Sequence, residues 1–449
     1  MGYIELICIA GFVFMTFILC LLTHKKTVIT PELIFASCFM PQIIYALFYV
    51  EKWDLVLSGE TVAVYIVGIF YFWMISLIIR ILLERSHCEV SYGNIVKTIV
   101  IKRWKLVLAA VFQICSIYLM IKALYSVTHA PNLSTAIDVY TMNSKDNGLA
   151  VPFLPGKMNL FSYLSGFVWT YYLIHSIVFG YKTHSFLIVA NLLLSIVSNM
   201  LTGSRGGVIQ TALAGVYMFF LLWGEKNNWR KKVKFKTYIK IAIGAIVIIF
   251  LFKPTLSLLG RSTVFKNSSD YIALYLSAEL KNLNTKIVQG KIGLRDITQW
   301  TTMNASISRI LGWMGVNGTK QFANADTYMI YNGIPFGNVY TIFLPFIMDM
   351  GYFGLLFFES VMAFVCQISF NCATKANNGL YCMELSKVIY SYILVQVTFS
   401  FFSNWFFDAV ISTGFVWCLI VWTCYRFFLE NQINNKHIVR LFGKIALKY

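Results

Sequence analysis

The chain has 449 residues, of which 58% are hydrophobic and only 12% charged. An ordinary soluble domain carries roughly a quarter charged residues, so this chain cannot cover a water-facing surface; soluble enzymes, secreted disulfide scaffolds and disordered regulators are excluded. The net charge of +18 is what a membrane protein holds as Lys and Arg in its cytoplasmic loops, and it calls for no nucleic-acid partner. The expectation is an all-α, polytopic membrane bundle forming one embedded body over residues 1–449.

A helix crosses the hydrocarbon in about 20 apolar residues. Runs of that kind lie at 3–22, 31–50, 61–80, 106–126, 160–178, 185–202, 207–224, 240–260, 351–370, 388–405 and 409–428. They predict about 11 transmembrane helices, or 12 if one is missed. The first run has no basic leader and no small-residue cleavage site, and it reads as a retained anchor. Most of the ten cysteines lie in apolar runs and none has metal-ligand spacing with a histidine, so neither a disulfide framework nor a metal site is expected.

With the N-terminus outside, the predicted inner segments hold twenty-three of the 37 Lys and Arg residues. Eight of the rest fall in one long outer loop, and short loops are the ones that follow the positive-inside rule. The basic segments 81–104, 225–239 and 430–449 are therefore placed inside. Two long segments, 127–159 and 259–350, are placed outside. The first, with Pro131, Pro152 and Pro155, suits an irregular cap.

The second outer segment is longer than a connection requires, and long loops tend to carry function. After Ser268-Ser269-Asp270, a cap signal, Ile272, Leu276, Leu280 and Leu283 share one helical face. Trp300, Met303, Ile307, Ile310 and Met314 do the same further on. Both read as short amphipathic helices on the membrane or the bundle. The nearly uncharged stretch 333–370 would be about 57 Å long as one helix at 1.5 Å per residue, nearly twice the hydrocarbon thickness. It should break near Gly351, leaving 333–350 re-entrant or interfacial. Irregular backbone at that depth requires protein or a wet cavity against it, so a cavity open to the outer face is expected.

The loop also carries an excess of positive charge. Its lysines are open between a solvated face and an anion site. Arg261, Arg295 and Arg309 are favoured for phosphate, because guanidinium binds oxyanions bidentately. Between the sixth and seventh runs, Gly203-Ser204-Arg205-Gly206-Gly207 forms a tight turn. Glycine explains the turn, and flanking glycines also let backbone N–H groups converge on an anion beside Arg205. Lys253, next to Pro254, is open between a binding role and snorkelling outward. Glu359, mid-span, is costly enough in a membrane to be a candidate functional group.

Thr202-Gly203-Ser204-Arg205-Gly206-Gly207 at a helix–helix turn resembles the oligosaccharide repeat-unit polymerases, the Wzy-type O-antigen polymerases. So do Gly337-Asn338-Val339-Tyr340-Thr341 and Asp349-Met350-Gly351-Tyr352-Phe353-Gly354. The layout is similar along the whole chain, whereas the sequence likeness covers only these stretches. The resemblance implies a glycosyltransferase of type C-like architecture in the bacterial inner membrane, with its active site facing the periplasm. It would transfer a growing glycan from undecaprenyl pyrophosphate to a new repeat unit on a second such lipid; no acidic cluster with magnesium-ligand spacing appears on the predicted outer face, so neither metal nor cofactor is expected. Implied partners are those lipid-linked oligosaccharides, membrane lipids, a chain-length regulator and other O-antigen assembly proteins. In this reading Arg205 and Arg261 stabilise the leaving pyrophosphate. Gly203, Ser204, Lys253, Arg295, Arg309, Tyr328, Asn338 and Tyr340 bind pyrophosphate or glycan. Asp326 is open between general base and loop-ordering residue, and Glu359 between base and partner of Lys253. Some family members pair each arginine with a glycine eleven positions on; here those positions hold Val216, Ile272, Ser306 and Lys320, so that version of the mechanism is not carried over.

Two alternatives compete. A lipid-linked oligosaccharide flippase or transporter would need related halves and charges along a transport path, and the halves here are unlike. An O-antigen ligase relies on a histidine in its large periplasmic loop, and none of the six histidines lies between 259 and 350.

The orientation has a direct test. In a cysteine-free background, Lys232→Cys is expected to resist a membrane-impermeant thiol reagent in intact cells and to react once the membrane is opened. Labelling from outside would invert the topology.

Overall fold

A computed structural model describes residues 2–23, 27–84, 98–146, 149–181, 184–204, 206–252, 268–290, 300–303, 306, 314, 328–375 and 382–430. Its elements in chain order are α1 (Gly2–Thr23), α2 (Pro31–Phe48), α3 (Val50–Trp53), α4 (Gly59–Glu84), α5 (Arg103–Thr128), α6 (Leu133–Asp146), α7 (Phe153–Leu164), α8 (Gly166–Phe179), α9 (Ser185–Met200), α10 (Gly206–Lys226), α11 (Phe235–Phe252) and α12 (Ser268–Val288). A hairpin of β1 (Met329–Tyr331) and β2 (Ile334–Gly337) follows, then α13 (Phe343–Thr374), α14 (Leu385–Thr398), a 3₁₀ turn (Phe399–Phe401), α15 (Trp405–Ala409) and α16 (Thr413–Glu430). The protein is nearly all-α. Among the described residues six helices are long and apolar enough to cross a membrane: α1, α2, α4, α5, α10 and α13.

The chain divides into two compact units. The first comprises Met1–Gly93, Val216–Ala376 and Ile389–Trp417. Its core is aromatic. Phe343 stacks on Phe39 with centroids 5.3 Å apart and meets Tyr65 edge-on at 5.4 Å, while Phe35 packs on Phe72 at 4.2 Å. Apolar burial drives no helix association within hydrocarbon, so packing and interhelical hydrogen bonds must do so, at about 1–2 kcal/mol or less per bond. Such bonds are present: Tyr65 donates to Gln42 at 2.9 Å, Gln367 to Glu32 at 3.0 Å, and Tyr71 meets Ser360 at 2.8 Å.

The second unit comprises Asn94–Gly215, Asn377–Val388 and Cys418–Tyr449. Gln113 donates to Asn191 at 3.0 Å, and Asn191 donates on to the Leu106 carbonyl at 3.1 Å. The Trp422 indole reaches the Leu164 carbonyl at 3.1 Å, where α7 ends.

Several expectations are refined. The stretch 160–178 is two helices meeting at Ser165, whose hydroxyl accepts from the Trp169 indole at 2.9 Å. The segment 127–159 is largely helical, because Asn132 accepts from the Thr135 N–H at 2.8 Å and starts α6. The hairpin departs from an all-α fold. Its turn is Asn332-Gly333, both with positive φ of 49° and 75°, which is the backbone a two-residue primed turn needs.

The break expected near Gly351 is there. Met350 and Gly351 leave helical geometry inside α13, and Gly351 sits at φ 61°, ψ −158°, a region open in practice only to glycine. Three residues later, a side chain on Gly354 would run into the Phe346 carbonyl. Gly351→Ala is therefore expected to cost about 1–3 kcal/mol and to lower the thermal unfolding midpoint of the purified protein. An unchanged midpoint would mean that the break does not need glycine.

Candidate functional site

One end of the first unit is built around α12. Its N-terminus is fixed by Asp270, which accepts from Lys52 Nζ at 2.7 Å and from the Tyr49 hydroxyl at 2.9 Å; the Lys52 bond holds its carboxyl below the usual range. The expected apolar face is present, with Leu280 and Leu283 fully buried. The opposite face is not solvated, however: Ser277, Glu279, Lys281 and Asn282 are buried as well.

Each of these buried polar groups has backbone to satisfy or none at all. Asn282 Nδ2 donates to the carbonyls of Phe336 and Val339, at 3.3 and 2.9 Å. Asn284 donates to the Val56 carbonyl at 2.9 Å and accepts from the Ser58 N–H and the Thr61 hydroxyl, both at 2.8 Å. Lys281 Nζ donates to the Trp53 and Asp54 carbonyls and lies over the Tyr331 ring, 3.2 Å from its centroid. The backbone at 53–58 and 336–339 is thus hydrogen-bonded to one helix, which satisfies its inward-facing polar groups.

A second tether starts from Asp349, fully buried just before the break. Its carboxylate accepts from the Thr301 N–H and hydroxyl at 2.8 and 2.9 Å and from the Thr302 N–H at 2.6 Å. Asn404 donates to the Thr302 carbonyl at 2.8 Å, and Ser306 donates to that of Ile411. Part of the long segment before the hairpin is therefore pinned to α13 and to the 404–411 stretch.

Two carboxyls have no such partners. Both oxygens of Glu279 and both of Glu359 are buried without a hydrogen bond among the described residues. Glu279 lies near Gln42, and burial pushes its carboxyl well above the ordinary range. Glu359 projects toward α4 at Gly68, where an added Cβ would sit 3.0 Å from Glu359 Oε1 and closer still to the Phe343 ring. Gly68 leaves room for both.

The remaining expected site residues divide clearly. Arg205, Lys253, Arg261, Arg295, Arg309 and Asp326 lie outside the described residues, and so does the Lys253–Glu359 pairing. Tyr328 and Asn338 are exposed, and because Met329 pairs with Gly337 they flank the open end of the hairpin. Tyr340 is buried, with Lys286 Nζ 5.6 Å from its ring centroid; it packs rather than presenting its face outward. In the second unit, the Gly203 N–H caps the Met200 carbonyl at 2.9 Å, and its φ is 74°. A side chain there would strike Thr141, and one on Gly207 would strike Asn199. Turn geometry and close packing thus account for Gly203 and Gly207, and Ser204 is exposed. Among the described residues no three His, Cys, Asp or Glu side chains come together to hold a metal ion.

The tethers at Asn282, Lys281 and Asp349 were not anticipated from the sequence. The Asn332-Gly333 pair was the available signal for the hairpin they hold.

The fold is that of a helical protein fitted to several membrane crossings. Comparison with protein-family models, with curated proteins and with solved structures finds no match in any of the three.

The buried lysine yields a pH prediction. Burial pulls Lys281 down to about 8, with Asp54 partly opposing, against about 10.4 for a free lysine. Below both values native and unfolded chains each hold the proton. Between them the unfolded chain holds a proton that the native chain has released, so stability rises with pH across that window. Lys281→Met removes this contribution. Thermal unfolding of both proteins from about pH 7 to about pH 10 should show a more positive slope in the wild type, whereas identical slopes would show that Lys281 titrates normally.

Proposed function

We propose that the chain is an O-antigen polymerase: a glycosyltransferase of about eleven membrane spans, in the bacterial inner membrane, joining undecaprenyl-pyrophosphate-linked repeat units on the periplasmic face. The observation that carries this reading is the order and placement of its three motif stretches. Gly337–Thr341 and Asp349–Gly354 bracket the start of α13 in the tethered cap, and 202–207 forms a helix–helix turn. The hairpin end offers an exposed tyrosine and an exposed asparagine, Tyr328 and Asn338, the kind of pair that stacks on a sugar and hydrogen-bonds its hydroxyls.

In the proposed reaction the acceptor hydroxyl attacks the anomeric carbon of the growing glycan, the C–O bond to pyrophosphate breaks, and undecaprenyl pyrophosphate leaves. Arg205 and Arg261 stabilise the charge developing on the pyrophosphate; Lys253, Arg295 and Arg309 assist in holding it. The proton of the acceptor hydroxyl goes to Asp326 or Glu359. Because arginine supplies the charge stabilisation, activity on purified lipid-linked repeat units is expected to survive chelators, and loss in EDTA restored by magnesium would refute that mechanism.

Deletion of the gene is expected to leave lipid A–core capped with one repeat unit and no ladder. Bare core would instead indicate the ligase or flippase reading. Removing a bidentate charge-assisted contact from a partly dry site costs on the order of 2–4 kcal/mol, or roughly 30- to 1000-fold in rate. Arg205→Ala should therefore lose nearly all polymerisation, and Arg205→Lys much of it, at unchanged protein abundance. A full ladder from Arg205→Ala at normal abundance would make Arg205 a turn residue only.

A further inference from the structure

A groove on the second unit is left unused by the reading above. Leu108, Ala109 and Phe112 of α5, Phe161 of α7, and Cys424 and Phe428 of α16 line it, and its volume is about 240 Å³. That is below the roughly 300–1,000 Å³ of pockets for drug-sized molecules. It is almost wholly apolar, and Leu108 and Cys424 are exposed along it. Along α5 its lining runs from Leu108 to Phe112, about 6 Å at 1.5 Å per residue. A narrow open trough of this kind on a membrane-crossing helix takes a flexible chain rather than a compact ligand.

One end of the groove is marked differently. Lys105 Nζ lies 5.8 Å from the ring centroids of Trp104 and Phe428, and it donates to the Leu429 carbonyl at 3.2 Å. Trp104, 57% exposed, meets the Phe428 ring edge-on. Lys102 and Arg103 beside it are exposed, and no carboxylate among the described residues forms an ion pair with either. The acid nearest this end, Glu430, is already engaged by the Tyr172 hydroxyl, the Met383 N–H and Arg426. An exposed tryptophan with lysine and arginine is the signature of the headgroup level of a bilayer. The Phe428 end of the trough therefore lies toward headgroup depth, with Lys105 over that ring and the exposed Lys102 and Arg103 next to it in sequence.

We propose that this groove is a binding site for an anionic phospholipid, with one acyl chain along Leu108, Phe112 and Phe161 and its phosphate beside Lys102, Arg103 and Lys105. The site is independent of the polymerase reading, because it needs neither Arg205 nor the outer cap. Charge selects the lipid: an exposed Lys or Arg near the surface favours anionic lipid by about 1 kcal/mol, a factor of roughly five. The groove supplies the fixed position that a diffuse surface charge lacks.

The test is retention of lipid by the full-length protein, measured by native mass spectrometry after exchange into mild detergent with equal phosphatidylglycerol and phosphatidylcholine. The wild type should keep phosphatidylglycerol in preference. Lys102→Gln with Arg103→Gln, both exposed positions, should weaken that preference by about 30-fold with an unchanged unfolding midpoint. Leu108→Trp, which fills the trough from its exposed edge, should reduce retention of both lipids. Equal retention of the two lipids by the wild type overturns the proposal. So does a double variant that keeps the preference, or a Leu108→Trp protein that binds as the wild type does.

Discussion

The carboxamide of Asn282 carries more of this structure than its size suggests. It stands on a fully buried stretch of α12 and closes the backbone of the 336–339 segment with two hydrogen bonds. Without it, two carbonyls would each lose a hydrogen bond worth about 0.5–1.5 kcal/mol net. The hairpin, the Gly337–Thr341 stretch and the start of α13 are placed by that contact. Lys281 and Asn284 repeat it for residues 53–58, so one helix holds two connecting segments in place. The polar residues of α12 therefore act as internal donors rather than as a water-facing side.

The two unpaired carboxyls stand in contrast to these satisfied groups. A buried charge without a partner is far more costly than a buried amide, and burial accordingly pushes the Glu279 carboxyl well above the ordinary range. Its surroundings, Gln42 and Tyr65, are neutral hydrogen-bonding groups already tied to each other. Glu359 is accommodated sterically by Gly68, which makes the absence of a side chain on α4 as much a part of its environment as any contact.

How much was legible depended on the physical signal. Apolar runs announced the helices, since hydrocarbon demands length and composition alone. The break in α13 was readable because one straight helix over 333–370 is too long for a bilayer. The turn at Asn332-Gly333 was readable in principle, but the surrounding residues invited a re-entrant or interfacial segment instead. The tethers were not readable: Lys281, Asn282 and Asn284 look like an ordinary wet face until the loops they satisfy are placed in space. The glycines of the 202–207 turn had two explanations in sequence, and for Gly203 and Gly207 packing against Thr141 and Asn199 is sufficient.

The break at Met350–Gly351 also separates two rotational settings. In a continuous helix each residue added or removed turns everything below it by about 100°. An insertion before Asp349 would then swing Glu359 from its niche at Gly68 toward lipid. With the upper piece held through Asp349 and the lower piece starting afresh after Gly351, the cap and the membrane body each keep their own phase. An insertion before Asp349 thus leaves the buried face of the span in register.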